Sequence, residues 1–423
     1  MLDRSVAPKI FPIQRIQLPE FEEISLDNGI QAFIVSGGSQ EIVKLEFVFD
    51  AGRSRERTKL SAKATAHLLK EGTNSMTSAE ISEKFDFYGA SMNCNSGMDK
   101  NTIVLHCLKK HLEPCLALVR DILEEATFSQ EEISKYSIRA AQRLKQQLSK
   151  NSVQAYRSIS ALFFGQDHCY GYNTDPEDFK NLESSVLKNH FQEFYASKNC
   201  RIYLSGKIDS TTVALVNTYF STFRVGTSSE LVYESAHSLK SKNLELPGNK
   251  LQNSIKIGKQ LFSKSHPQYN AFVMLNTILG GYFGSRLMSS IREEKGYTYS
   301  IYSIIDPMEF DGSFYISTEV GTQYYQATID AIKEEFVKLQ NELVENTELQ
   351  MAKNYLLGTV LSMLDGPLKS SKLIKNLNEN YQKESDFNAL IDTIKNITPK
   401  EIQSLAQEHL NYEEMHQVSV GDF

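Results

Sequence analysis

GIQAFIV (29–35) is a short apolar run broken by one polar residue, and VKLEFVFDAG (43–52) opens by alternating apolar and polar positions; both predict strands. The spacing lengthens to three and four in SAKATAHLLKEG (61–72), which predicts a helix. Another helix is predicted in TSAEISEKFDFYG (77–89), with Thr77 or Ser78 as N-cap and Gly89 just past the end. SMNCNSGMDKNTIVLHCL (91–108) predicts a hairpin turning at Ser96-Gly97, and KKHLEPCLALVRDILEEA (109–126) a further helix. A long polar helix is expected from about Ser129 to Lys150, and a strand in RIYLSGKI (201–208).

From Arg224 to Asn249 periodicity lapses, and the stretch ends in Leu-Pro-Gly-Asn. The boundary is expected there: a first domain over 1–224, a linker over 225–249 and a second domain over 250–423. The second half opens with a strand, NSIKIGKQ (253–260), and a helix, QYNAFVMLNTILGG (268–281). A short helix (285–296), a hairpin (297–321), two or three helices and a final strand, HQVSVGDF (416–423), follow. Both halves run strand-rich then helix-rich and close on a strand that ends in glycine, an order that suggests an internal duplication.

A chain of 423 residues exceeds most single domains, so two cores are expected. A net charge of −7, with no Lys/Arg cluster interleaved with aromatics, argues against nucleic acid as a partner. Membrane-spanning helices are not expected, because no apolar run approaches about 18 to 20 residues. The N-terminal stretch carries Asp3, Arg4, Lys9 and several prolines and does not read as an export signal. Five scattered cysteines (Cys94, Cys107, Cys115, Cys169, Cys200) form no C-x-x-C pair and are expected to be reduced thiols of a cytoplasmic protein.

Residues 50–94 carry Ala51-Gly52, then His67, Gly72-Thr73 and Gly89-Ala90. Together with CYGYNTDPEDF (169–179), YASKNCRIYLSGKID (195–209) and NTELQMAKNYLLGTVLSML (346–364), this segment resembles the pitrilysin, insulinase and mitochondrial processing peptidase family. In that family an A-H-x-x-E-H helix precedes Gly-Thr. Two imidazoles one turn apart grip zinc, and the glutamate between them activates water. Aligned on Gly72-Thr73, the resemblance places Lys63 at the first histidine, Ala66 at the catalytic glutamate and His67 at the second histidine. The family's distant glutamate falls on Arg143, 76 residues after His67, and a supporting glutamate falls on Tyr136. Two cations where ligands should stand would repel a dication. His67 is therefore expected to be a helix histidine satisfied by the Lys63 carbonyl or by Glu71, and the chain to hold no metal.

LGGYFGSRLMSSIREEKGYTYSIYS (279–303) resembles the family segment in which an Arg and a Tyr seven residues apart bind substrate near the scissile bond, here Arg292 and Tyr299. A guanidinium and a phenol suit peptide carbonyls and a developing oxyanion. The resemblance implies an α+β fold of two similar domains, each an antiparallel sheet with helices on one face, forming a metallopeptidase half-clamshell. It further implies a heterodimer in which this chain lends Arg292 and Tyr299 to a homologous, zinc-bearing H-x-x-E-H subunit that hydrolyses unfolded peptides held as an added strand. A catalytically inactive structural or peptide-binding relative is the alternative. The long glycine-rich loop of the noncatalytic processing-peptidase subunit is missing, LGGYFGSRL being short.

Overall fold

The computed structural model describes residues 13, 15–226, 233, 241–249 and 252–423. Residues 1–12 and 14 of the stretch read for an export signal, and 227–232 and 234–240 of the expected linker, lie outside these residues.

The first half contains β1 (Glu22–Ser25), β2 (Gln31–Ser36), β3 (Ile42–Phe49), α1 (Ser61–Leu68), α2 (Ser78–Phe87), β4 (Ser91–Ser96) and β5 (Asn101–Leu108). It continues through α3 (Leu112–Glu125), α4 (Gln130–Leu148), α5 (Asn151–Phe164), α6 (Ser184–Phe194), β6 (Cys200–Gly206) and α7 (Ser210–Phe220). The second half contains β7 (Asn243–Pro247), β8 (Asn253–Leu261), α8 (Tyr269–Asn276), β9 (Thr298–Pro307) and β10 (Gly312–Val320). It ends with α9 (Tyr325–Asn341), α10 (Asn346–Met363), α11 (Pro367–Asn378), α12 (Glu384–Asn396), α13 (Pro399–His409) and β11 (His416–Gly421). Five helices therefore follow the second hairpin where two or three were expected. Short turns at Asp365-Gly366, around Tyr381 and at Thr398-Pro399 divide that stretch into shorter helices.

The first sheet runs β1-β2-β6-β3-β5-β4 and the second β7-β11-β8-β10-β9. Apart from the added edge strand β1, the two orders coincide when β2, β3, β4, β5 and β6 are matched to β7, β8, β9, β10 and β11. The pairings coincide too. Each sheet is antiparallel except for one parallel pair, β2 with β6 and β7 with β11. The duplication glimpsed in the order of elements is thus carried by topology. Strand β7 lies within the stretch expected to be a linker, yet it pairs with β11 at the edge of the second sheet.

Local chemistry explains the element boundaries. Thr77 Oγ1 accepts from the Glu80 amide while Glu80 Oε2 accepts from the Thr77 amide at 2.8 Å, a capping box that starts α2. Along β3, Val43, Leu45, Phe47 and Phe49 face α1, α3 and α6 in the first core. Ile255, Ile257, Phe314 and Ile316 face α8 and the later helices in the second. Each half thus packs its own helices on one face of its sheet.

The opposite faces receive one helix each from the other half. Helix α5 lies on β8 and β11, burying Ala155, Ile159, Phe163 and Phe164 against Val418 and Val420. Helix α11 lies on β2 and β6, placing Ile374 against Phe33, Val35, Val48 and Tyr203. All five cysteines are free thiols. Among the described residues no helix is long and apolar enough to cross a membrane.

Candidate functional site

On α1 the side chains of Ala62, Ala64, Thr65, Ala66 and Leu68 are buried, while Lys63 and His67 stand exposed one turn apart on the same face. Glu56 precedes the helix and accepts from the Ala62 amide at 2.9 Å, occupying a free amide of its first turn. His67 Nδ1 lies 2.8 Å from the Lys63 carbonyl oxygen, which can only accept, so that nitrogen carries the proton and the ring is tied to its own helix. Glu71 accepts instead from Ser78 Oγ at 2.7 Å.

The ring of Tyr136 on α4 lies 5.7 Å from that of His67. Its phenol is pushed up to about 12 by burial, then by the charge of Glu56, with Arg143 opposing. The phenol oxygen is buried without a partner among the described residues. Although Lys63 as a whole is exposed, protein crowds its ammonium enough to strip water from it. That loss, joined by the Arg53 and Arg143 guanidiniums, pushes it below the ordinary lysine value against the pull of Glu56. The Arg53 guanidinium carbon stands over Tyr172, 3.5 Å from the ring centre, and Arg53 donates to the Tyr172 carbonyl oxygen. The Tyr172 hydroxyl in turn donates to Glu56. Burial raises the Glu56 carboxyl, and that hydrogen bond offsets it only in part.

Lys63, His67 and Tyr136 lie together on one face, with Arg143 close enough for its charge to act on Lys63 and Tyr136, whereas Ala66 is buried in the helix. A zinc ion asks for three or four nitrogen, sulfur or carboxylate donors. This face offers one imidazole, the cations of Lys63, Arg53 and Arg143, and a single carboxyl, Glu56, already engaged by the Ala62 amide and the Tyr172 hydroxyl; no group of three or more His, Cys, Asp or Glu side chains among the described residues could hold a metal ion. The residues do not fit the ion.

In the second half the helical turns over Thr277–Gly281 and Met288–Glu294 are of the wider π type. Gly280 permits the first to lie against β9, since a Cβ there would meet the Ser303 amide nitrogen at 2.6 Å. Arg292 sits in the second. Gly296, at φ +67°, turns the chain into β9, an edge strand. Arg292 Nε donates to the Tyr299 carbonyl at 3.0 Å, and its guanidinium carbon lies 4.8 Å above the ring of Phe283. The pair therefore meets through the Tyr299 backbone, leaving that side chain 88% exposed. Beside it a cavity of about 370 Å³ is lined by Tyr299, Tyr302, Ser317 and Glu319, among others.

Sequence reasoning missed a charged seam between the halves. Arg201 bridges Asp50 and Glu379, each at 2.7 Å, and Tyr203 donates to Glu379 at 2.7 Å. Lys100 pairs with Asp50 at 2.6 Å and with Glu309 of the second hairpin at 2.8 Å. Lys375 of α11 meets Glu46 of β3. The available signal was alternation: Lys44 and Glu46 interrupt an otherwise apolar strand, as Arg201 does in β6. The sheet face opposite the core therefore needs a charged cover.

A duplicated two-sheet fold with this pair of faces defines a metallopeptidase-type half-shell. The sequence model "Insulinase (Peptidase family M16)" matches residues 34–164 and "Peptidase M16 inactive domain" matches residues 181–356, so the chain belongs to the peptidase M16 family. Among curated relatives, an "Uncharacterized zinc protease YmxG" of Bacillus subtilis is 23% identical over 73% of this chain and 75% of its own length. A "Non-peptidase homolog YmxG" of Helicobacter pylori is 25% identical over 82% and 81%. Two solved structures share the fold. One is a peptidase M16 inactive domain from Pseudomonas fluorescens (TM-score 0.87, 22% identity, 96% of this chain and 98% of that one). The other is a protease from Helicobacter pylori (TM-score 0.86, 14% identity, 96% and 100%).

Proposed function

We propose that this chain is a noncatalytic M16 subunit that presents Arg292 and Tyr299 to a peptide cleaved by a homologous H-x-x-E-H partner, which carries the zinc. The observation that carries this reading is the contrast between the faces: Lys63, Ala66 and Arg143 remove two metal ligands and the water-activating carboxylate. Arg292 and Tyr299 keep a seven-residue spacing at an open strand edge. An extended, unfolded peptide suits such an edge, since backbone amides and carbonyls supply most of the recognition. The name of the Helicobacter pylori relative, a non-peptidase homolog, supports the loss of activity in isolation. The dispersed free thiols suit a reducing, cytoplasmic setting.

The test is reconstitution. This chain mixed with its H-x-x-E-H partner should hydrolyse peptides that neither hydrolyses alone. Tyr299→Phe should lower turnover of the pair by about 100-fold without disturbing assembly, the loss typical of one oxyanion donor. Arg292→Ala should also weaken peptide binding. Wild-type rates from both folded variants would leave a purely structural role. Elemental analysis of the isolated chain should find no zinc dependent on His67; stoichiometric zinc lost in His67→Ala would overturn the reading.

A further inference from the structure

The face that would hold zinc is rebuilt, and its parts share a preference. Lys63 stands on α1, which packs against the turn carrying Arg53 and against α4, where Tyr136 and Arg143, seven residues apart, share one side of the helix; the charges of Arg53 and Arg143 accordingly reach Lys63. Neither Lys63 nor Arg143 is in an ion pair among the described residues. The carboxyl facing the group is Glu56, already occupied by the Ala62 amide and the Tyr172 hydroxyl. Two donors lack acceptors: Tyr136 Oη and Arg53 Nε are buried without a hydrogen-bond partner among the described residues. A buried donor without an acceptor is costly, so orphan donors beside unpaired cations mark a place for an acceptor of negative charge. His67 Nδ1 is spent on its own helix.

We propose that this face binds an oxyanion, specifically a carboxylate carried by a peptide, with Lys63 and Arg143 supplying the charge and the Tyr136 hydroxyl a further hydrogen bond. The substitutions that remove the metal thus reverse the charge the face accepts. A carboxylate fits because it takes charge-assisted bonds from a guanidinium and an ammonium at once and still accepts a phenol. The choice of a peptide as carrier rests on the function proposed above. Anion binding itself does not, since it needs neither the partner chain nor Arg292 and Tyr299.

The experiment is calorimetric titration of the full chain, alone, at low salt. The probes are a short end-capped peptide bearing glutamates, the same peptide bearing glutamines, and inorganic phosphate. The glutamate peptide should bind at least about tenfold more tightly than its glutamine twin, the least expected of one charge-assisted contact. The Lys63→Gln/Arg143→Gln double variant should bind both alike. The charge-keeping Lys63→Arg/Arg143→Lys variant should retain the preference, with circular dichroism melting showing both variants folded. Equal affinity of the two peptides for the wild-type chain, absent binding of both, or a preference that survives charge removal would overturn the proposal. Phosphate binding as tightly as the glutamate peptide would overturn its peptide part and assign the face to free anions. A failed reconstitution with the glutamate preference intact would fault the subunit role and leave this site standing.

Discussion

Helices α5 and α11 make the same move in opposite directions, each crossing to cover the back of the other half's sheet, but by different chemistry. Helix α5 brings Ala155, Ile159, Phe163 and Phe164, an apolar stripe at helical spacing. Helix α11 adds Ile374 to its cluster and otherwise attaches through Lys375 to Glu46, while Glu379 just past its end binds Arg201 and Tyr203. An apolar seat is non-directional and indifferent to acid, whereas an ionic seat is geometrically specific and titrates. One attachment therefore sets how firmly the halves hold, and the other sets their register and makes it responsive to pH.

The comparison can be broken at either helix. Phe163→Ala should cost about 3 to 5 kcal/mol in urea unfolding at pH 7, the range for emptying a buried aromatic site. A cost below that of Glu379→Ala would reverse the assigned roles. Glu379→Ala leaves Arg201 without one of its two carboxylates and should cost about 3 kcal/mol. Glu46→Gln should cost about 2 kcal/mol at pH 7, the worth of hydrogen bonds to a charged group.

That last deficit should fade in acid. Burial alone would raise the Glu46 carboxyl, but the adjacent ammonium groups of Lys375 and Lys44 outweigh it and hold it below its ordinary 4.5. A carboxyl lowered on folding adds stability above 4.5 and loses it as pH falls through the folded value, so the wild type and Glu46→Gln should converge there. Asp50, which Arg201 and Lys100 hold low against the effect of burial, titrates in the same sense. Ile159→Val on α5 should cost about 1 kcal/mol, the smallest effect, and by the same amount at about pH 7 and pH 4. A strong pH dependence there would show that the apolar seat is not independent of the ionic one.

Strands β2, β3 and β8, the two hairpins, and α2 with its Thr77 box were legible from the sequence: β3 and β8 through alternation, β2 as a short apolar run, and α2 through its cap. Helix α5 was not, because its apolar residues face a sheet belonging to the other half, a pairing no local pattern records. Strand β7 escaped for another reason: Asn-Leu-Glu-Leu-Pro does alternate, but over only five residues, ending in proline and following a stretch without periodicity, so it does not stand out from a loop. At the candidate site, the family spacing singled out Lys63, His67 and Arg143. The orphan hydroxyl of Tyr136 did not, since satisfaction of a hydrogen bond is a property of three-dimensional neighbours.

The order in which a ribosome delivers these elements now matters. Each sheet seats its sixth or eleventh strand between strands made earlier, and α5 emerges well ahead of β8 and β11, the strands it must cover. A nascent first half therefore carries a greasy helix with no seat until β8 and β11 have been made. Such a chain should fold late and as one unit, and a truncated first half should be prone to self-association through the bare stripe of α5.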